Sequence, residues 1–329
     1  MLLVGDIGGT KTDLAIYASG SNPNSPVARK QFQSADYASL QAVVTEFLAG
    51  VKMPVTQATF DVAGPVIEKS VVTTNLPWAM NEGSLATDLN LKSVHLMNDL
   101  EAVARSIPFL REGDVVTLNP GKPVPRSAIG VIAAGTGLGE SFLYWDGSGY
   151  VPQASEGGHA DFAPTQKRQI HLLEYMLARL DHVSVERVCS GIGIPHIYEY
   201  LRDVEHIYEA PEVTREIALA KDRTKAIVDA AVHSPNESLL CRATIEIFVS
   251  ILASEAGNLA LKVLATGGIY LAGGIAVHTL SVLQEPAFMR AFANKGRFSE
   301  LMKRIPVHVI TTNAALVGAA TYALEHWRS

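Results

Sequence analysis

Apolar residues flank the polar, glycine-bearing turn GDIGGTKTD within residues 2–17, a pattern that predicts two short strands. SNPNSP at 21–26 carries loop chemistry. In DYASLQAVVTEFLAG, Leu40, Val43, Val44, Phe47 and Leu48 recur at helical spacing and predict a helix stopped at Gly50. ATFDVAGPV and KSVVTTNLPW read as strands across a turn, and SVHLM as a strand leading into the helix DLEAVARSIPF. This mixture predicts an α/β domain. From residue 128 the pattern restarts, with strand, glycine turn, strand, a hairpin turn at Asp146–Gly147 and a third strand. Helices follow, and over 244–263 Ile245, Phe248, Val249, Leu252 and Leu259 line one face. GGIYLAGGIAVHTLSVL predicts strand, Gly-Gly turn and helix. AALVGAATYALEHW predicts a small-residue helix in which Gly318 permits close packing. There is no short-period repeat, yet the strand–glycine turn–strand unit occurs at 2–17 and at 128–145, a hint of two related halves.

A length of 329 residues fits two domains at roughly 150 residues each. With 48% hydrophobic and 18% charged residues, the chain has the material for a large core. Its 27 basic and 33 acidic residues include no Lys/Arg-rich run, which argues against nucleic-acid or membrane-surface partners. Cys189 and Cys241 show no disulfide or zinc spacing and read as reduced thiols. The N-terminus MLLVGDIGGT reads as a first strand rather than a signal peptide. The longest apolar stretch, IFVSILASEAGNLALKV, is interrupted by Glu255, Asn258 and Lys262. Together these features predict a cytoplasmic protein.

Three glycine turns, DIGGT (6–10), AGTGLG (134–139) and LAGGIA (271–276), could each turn backbone N–H groups toward an anion or be plain hairpin turns. None has the spacing of a dinucleotide fingerprint or a P-loop. Asp6 could hold Mg²⁺, directly or through water, or only satisfy turn amides. Asn98 followed by Glu101 has the spacing of a capping box, and Asp99 then falls in the first helical turn, where the positive helix end favours a carboxylate suited to a general base. That corner closes a strand at its C-terminal end, where open α/β sheets hold ligands. EGGHADF is not an H-E-x-x-H metal motif. Its glycines suggest backbone brought close to a ligand, with Glu156 and His159 able to grip neighbouring hydroxyls of a polyol. Glu186, two residues after Ser184, reads on its own chiefly as a favourable first-turn charge.

In order, GDIGGT, MNDLEA, AGTGLG, EGGHADFAP, ERVCSG, LAGGI and N-x-x-L-x-G at 313–318 resemble the bacterial ATP-dependent glucokinases, hexokinase-like and of the enterobacterial type, essentially end to end. The resemblance implies a two-domain α/β actin-like ATPase fold, ribonuclease H-like, with an inter-domain cleft. Its small domain would be residues 1–109 plus 311–329, and its large domain 110–310. It implies transfer of the ATP γ-phosphoryl group to the 6-hydroxyl of D-glucose, with Asp99 as base and Asn98, Asp99, Glu156, His159 and Glu186 on the sugar. Phosphates would meet Gly8, Gly9 and Thr10, and Gly135, Thr136 and Gly137. Gly273 and Gly274 would meet the adenosine, and Mg²⁺ would lie near Asp6. A homodimer is also implied. Lys11, where relatives of this type often carry Asn, either touches a phosphate or is solvated. DIGGTK also occurs in the ROK sugar kinases, but the cysteine-rich zinc motif of that group does not follow His159. A kinase for mannose or an amino sugar, and a non-enzymatic ATP-binding protein of the same fold, are the alternatives.

Overall fold

The computed structural model describes residues 1–72 and 76–327. It divides into two compact units, Met1–Glu112 with Tyr150–Pro152 and Thr312–Ser329, and Gly113–Gly149 with Gln153–Thr311.

The first unit contains β1 (Leu2–Ile7), β2 (Lys11–Tyr17), β3 (Ala28–Gln33), β4 (Gln57–Val62), β5 (Ser70–Val72), β6 (Ala79–Asn81) and β7 (Ser93–Asn98). Five of them form a sheet in the order β3-β2-β1-β4-β7, with β1 antiparallel to β2 and parallel to β4. Leu3 and Ile7 face a core shared with the helix Leu40–Val51, while Leu2 and Val4 face one shared with the helix Ala314–His326. Burial on both faces explains why β1 is apolar almost throughout instead of alternating.

Three local expectations need correction. The helix Leu40–Val51 runs through Gly50 and ends on Lys52, whose left-handed backbone (φ 51°) supplies the stop. Of the strand expected over 69–78, β5 holds Ser70–Val72 and residues 76–78 are not strand, while Thr73, Thr74 and Asn75 lie outside the described residues, as do Arg328 and Ser329 of the expected small domain. β5 pairs with β6 in a small sheet of its own, whereas β4 joins the main sheet. Lastly, the helix after Asn98 is Asp99–Ser106, and a 3-10 turn at Ile107–Phe109 takes over where Pro108 removes a donor.

The second sheet contains β8 (Val115–Asn119), β9 (Ile129–Ala134), β10 (Leu138–Trp145), β11 (Tyr150–Ser155), β12 (Gly268–Ala272) and β13 (Val307–Ile310), in the order β11-β10-β9-β12-β13-β8. Here β9 is antiparallel to β10 and parallel to β12, as β1 is to β2 and β4. The repeated strand–glycine turn–strand unit thus recurs in both sheets with the same wiring to the next parallel strand. The expected Asp146 turn is present, with Asp146 Oδ1 accepting from the backbone N–H groups of Ser148 and Gly149.

The helix Leu239–Lys262 starts five residues before its apolar stripe and is buried nearly all round, including Ile245, Phe248, Val249, Leu252, Leu259 and the charged Glu255. Its hydrophobicity is that of a core helix. Among the described residues no helix is long and apolar enough to cross a membrane.

Candidate active site

β7 ends on Asn98, whose Oδ1 accepts from Leu100 N (2.9 Å) and Glu101 N (3.3 Å), capping the helix Asp99–Ser106. Only half of the expected capping box forms. Glu101 does not reach back to Asn98 but pairs along its helix with Arg105 Nε and Nη2, both at 3.1 Å. Asn98 Nδ2 instead donates to the Gly64 carbonyl at 3.0 Å, fixing the amide from the other side. Asp99 therefore starts from a rigid corner, and its Oδ1 also accepts from Leu100 N at 2.9 Å. The helix N-terminus was expected to keep Asp99 readily ionised. Burial outweighs that effect and, with the Asp6 charge adding to it, pushes the Asp99 carboxyl up to about 6.

Asp6 belongs to a row of carboxylates across the sheet, in register with Asp13 on β2 and with Asp61 on β4. Asp13 is clamped by Arg29, with Nε at 3.0 Å and Nη2 at 2.6 Å. Asp6 accepts from Asn313 Nδ2 at 2.9 Å, and the same amide group lies 3.3 Å from Asp13. Asn313 also caps the helix Ala314–His326. Asp61 is fully buried, and no donor among the described residues reaches either of its oxygens. Burial, then the charge of Asp6, holds Asp61 well above the usual carboxylate range. Burial likewise raises Asp6.

Gly8, Gly9 and Thr10 form the β1–β2 turn, closed by Gly8 N donating to the Lys11 carbonyl at 3.0 Å. Ser34 ties the turn down, its Oγ donating to the Gly8 carbonyl at 2.8 Å and its N–H to the Thr10 carbonyl at 2.9 Å. Lys11 opens β2 and is exposed. Asp6 is near enough to Asp99 for its charge to act on that carboxyl, a coupling that sequence spacing could not show.

In the second unit, Gly135, Thr136 and Gly137 form the β9–β10 turn, and the Gly135 carbonyl accepts from Gly191 N at 2.8 Å. Glu186, in the 3-10 turn Val185–Arg187, accepts from Leu138 N at 2.9 Å and lies against Gly137. Glu156 and His159 bracket the 3-10 turn Gly157–His159; both are exposed, with 3.8 Å between Oε2 and Nε2. The segments holding Glu156, His159 and Glu186 are zipped together, Phe162 N donating to Val183 O and Val185 N to Ala160 O, each at 2.9 Å. Gly157 and Gly158 pack against β10, where a Cβ would meet Glu140 and the Leu138 carbonyl respectively. Gly273 has φ +91° and a Cβ there would strike the Ala134 carbonyl, so the turn before the helix Gly274–His278 requires glycine.

Sequence reasoning missed Asp61, Asn313's hold on Asp6, and Glu140. The only local signal for Asp61 is a carboxylate inside the apolar run ATFDV.

Comparison with known proteins adds four findings. The profile of a family described as Glucokinase matches residues 3–326. A glucokinase of Nostoc punctiforme is 39% identical over 338 residues, covering 98% of each chain. Among solved structures, a glucokinase from an Antarctic psychrotroph superposes with a TM-score of 0.84 at 32% identity, covering 98% of both chains. A ROK family glucokinase from Streptomyces griseus, solved with glucose and AMPPNP, shares the fold at 18% identity and a TM-score of 0.63, covering 98% of this chain and 99% of that one.

Proposed function

Because the chain belongs to the glucokinase family and is an ATP-dependent hexose kinase, we propose that Asp99 is the base that takes the proton of the D-glucose 6-hydroxyl as it is phosphorylated. The fold is the actin-like ATPase fold of such kinases. The observation that carries this reading is the Asn98–Asp99 corner. It holds a mostly buried carboxylate with a backbone-fixed geometry, free of ion pairs among the described residues, and with a proton affinity near working pH. A base so tuned is available yet still strong enough to accept a proton.

Phosphoryl transfer depends mainly on positioning and electrostatics. Asn98, Glu156, His159 and Glu186 are assigned to the sugar hydroxyls, which they would fix so that the 6-oxygen attacks in line. The turns at Gly8–Thr10 and Gly135–Gly137 are assigned to the phosphates, and Gly273–Gly274 to the adenosine. Mg²⁺ fits Asp6, whose carboxylate lies among Asp13, Asp61 and Asp99, while the nearby cation Arg29 is committed to Asp13. Among the described residues no protein-only cage of three or more ligands exists, and Mg²⁺ needs none, since it binds through one or two carboxylates with water and substrate phosphates. When bound it would offset phosphate charge. A cytoplasmic homodimer is part of the same reading, and the buried free thiols Cys189 and Cys241 accord with a reducing compartment.

Two measurements test this. An ADP-release assay with Mg-ATP across glucose, mannose, fructose, galactose, glucosamine and N-acetylmannosamine should show strong turnover with glucose. Turnover with another sugar instead would keep the mechanism and replace the substrate, and no sugar-dependent turnover in folded protein would end the kinase reading. The second measurement is the pH profile. Since Asp99 loses its base form below about 6, kcat/KM for glucose is expected to fall about tenfold per pH unit on that acid limb. A profile flat to a full unit below the midpoint would remove Asp99 from the role.

A further inference from the structure

An acid whose Oε1 receives no donor from the described residues lies beneath the Glu156–His159 turn. Glu140 extends from β10 to the underside of Gly157; a Cβ on Gly157 would fall on Glu140 Oε2, and one on Gly158 would fall on the Leu138 carbonyl. Glu140 is 2% exposed, and no donor among the described residues reaches its Oε1. Its neighbour is Glu255, 5% exposed, on the core helix Leu239–Lys262. The donors go to Glu255, with Lys262 Nζ 3.3 Å from Oε1 and Asn258 Nδ2 2.9 Å from Oε2. Lys295 is turned elsewhere, its Nζ donating to Asn258 Oδ1 at 2.6 Å and to the Ser254 carbonyl at 3.0 Å. Cys189, the other titratable group facing the pair, is kept a neutral thiol by burial and by the two carboxyls. Two buried carboxyls in contact hold one proton between them, and the distribution of donors assigns it to Glu140.

We propose that Glu140 is a positioning residue for the reaction: its neutral carboxyl, hydrogen-bonded to Glu255, is the floor on which Gly157 rests, and its ionisation releases the Glu156–His159 turn. The inference rests on the reading of Glu156 and His159 as glucose contacts. Burial, then the charge of Glu255, pushes the Glu140 carboxyl up to about 7, which sets the release at neutral pH. Lys262 pulls in the opposite direction.

The test is the KM for glucose and for ATP, measured a pH unit below and above that midpoint, in the wild type, E140Q, E140A and E156Q. In the wild type the glucose KM should rise about tenfold on the alkaline side, a loss on the scale of one well-placed hydrogen bond, with the ATP KM unmoved. E140Q is a permanently neutral donor of the same shape and should keep the low glucose KM across the range. E140A should show the high glucose KM at both pH values. An alkaline rise in E140Q equal to that of the wild type overturns the proposal, as does an unchanged glucose KM in E140A. Should E140A fail to fold, the E140Q profile decides alone. If E156Q loses glucose affinity while both Glu140 variants behave as wild type, only the role of Glu140 falls. An unchanged glucose KM in E156Q removes the sugar-turn reading and the proposal with it.

Discussion

Asp99→Asn is expected to fold and bind glucose while its kcat falls by roughly 10²–10⁴-fold, the usual contribution of a positioned acid–base group. The substitution keeps the volume and an oxygen able to accept from Leu100 N, now 2.9 Å from Asp99 Oδ1. It removes only the capacity to take a proton. The same variant should be more stable than the wild type at neutral pH. Burial raises the Asp99 carboxyl from 3.8 to about 6, so its favourable share of stability is complete below 3.8 and is lost as pH rises through 6. A shift of about two units corresponds to ~3 kcal/mol, as an order of magnitude for a largely buried group. Above pH 6 the ionised Asp99 carboxylate is therefore a folding liability, one that the proposed base role would account for. Single-turnover rates, glucose titrations and melts on either side of that midpoint check both claims. Near-normal kcat would end the base assignment, and a stability gap independent of pH would end the burial argument.

What made the Asn98–Asp99 corner legible was its local character. A strand ending, a cap and a first-turn carboxylate are all set within four residues, and the helix does begin at Asp99. The β1–β2 and β9–β10 hairpins were legible for the same reason, and so was their recurrence in both sheets. The electrostatics of the site were not. Asp6 meets Asn313 across some 300 positions of chain, and it meets Asp61 only because β1 and β4 are parallel and in register. No spacing rule reports that register. The two glycines after Glu156 were legible in part: a close approach follows from the sequence, whereas the nearness of Gly157 to Glu140 follows only from the fold. Burial decides the rest. The helix-end argument for Asp99 had the right sign for one interaction and omitted the larger one, desolvation, which depends on the packing around the corner.

Gly318→Ala and Gly50→Ala are expected to shift stability in opposite directions, although both place alanine inside a helix of the first unit. Gly50 is exposed in the helix Leu40–Val51, and a Cβ there meets nothing within 4 Å. Alanine removes backbone freedom from the unfolded chain and should stabilise by about 0.5–1 kcal/mol. Gly318 lies where the helix Ala314–His326 crosses the helix Asp99–Ser106, in a layer built from Ala102, Ala315, Leu316, Ala319, Ala320 and Ala323. A Cβ there would sit on the Ala102 carbonyl oxygen and 3.0 Å from the Ala102 Cα. Backbone cannot rotate aside as a side chain would, so the helices must separate, at a cost of about 1–3 kcal/mol or more. The separation also has a functional address. One helix begins with Asp99 and the other is capped by Asn313, which holds Asp6, so a shift between them misplaces the base and the expected Mg²⁺ carboxylate together. Gly318→Ala should therefore lower kcat in the fraction that remains folded, whereas Gly50→Ala should leave it unchanged. Denaturant midpoints and kcat on both variants test the pair. A Gly318→Ala protein as stable and as active as the wild type would show that the two helices can slide without cost, and the link from small-residue packing to the geometry of Asp99 would fail.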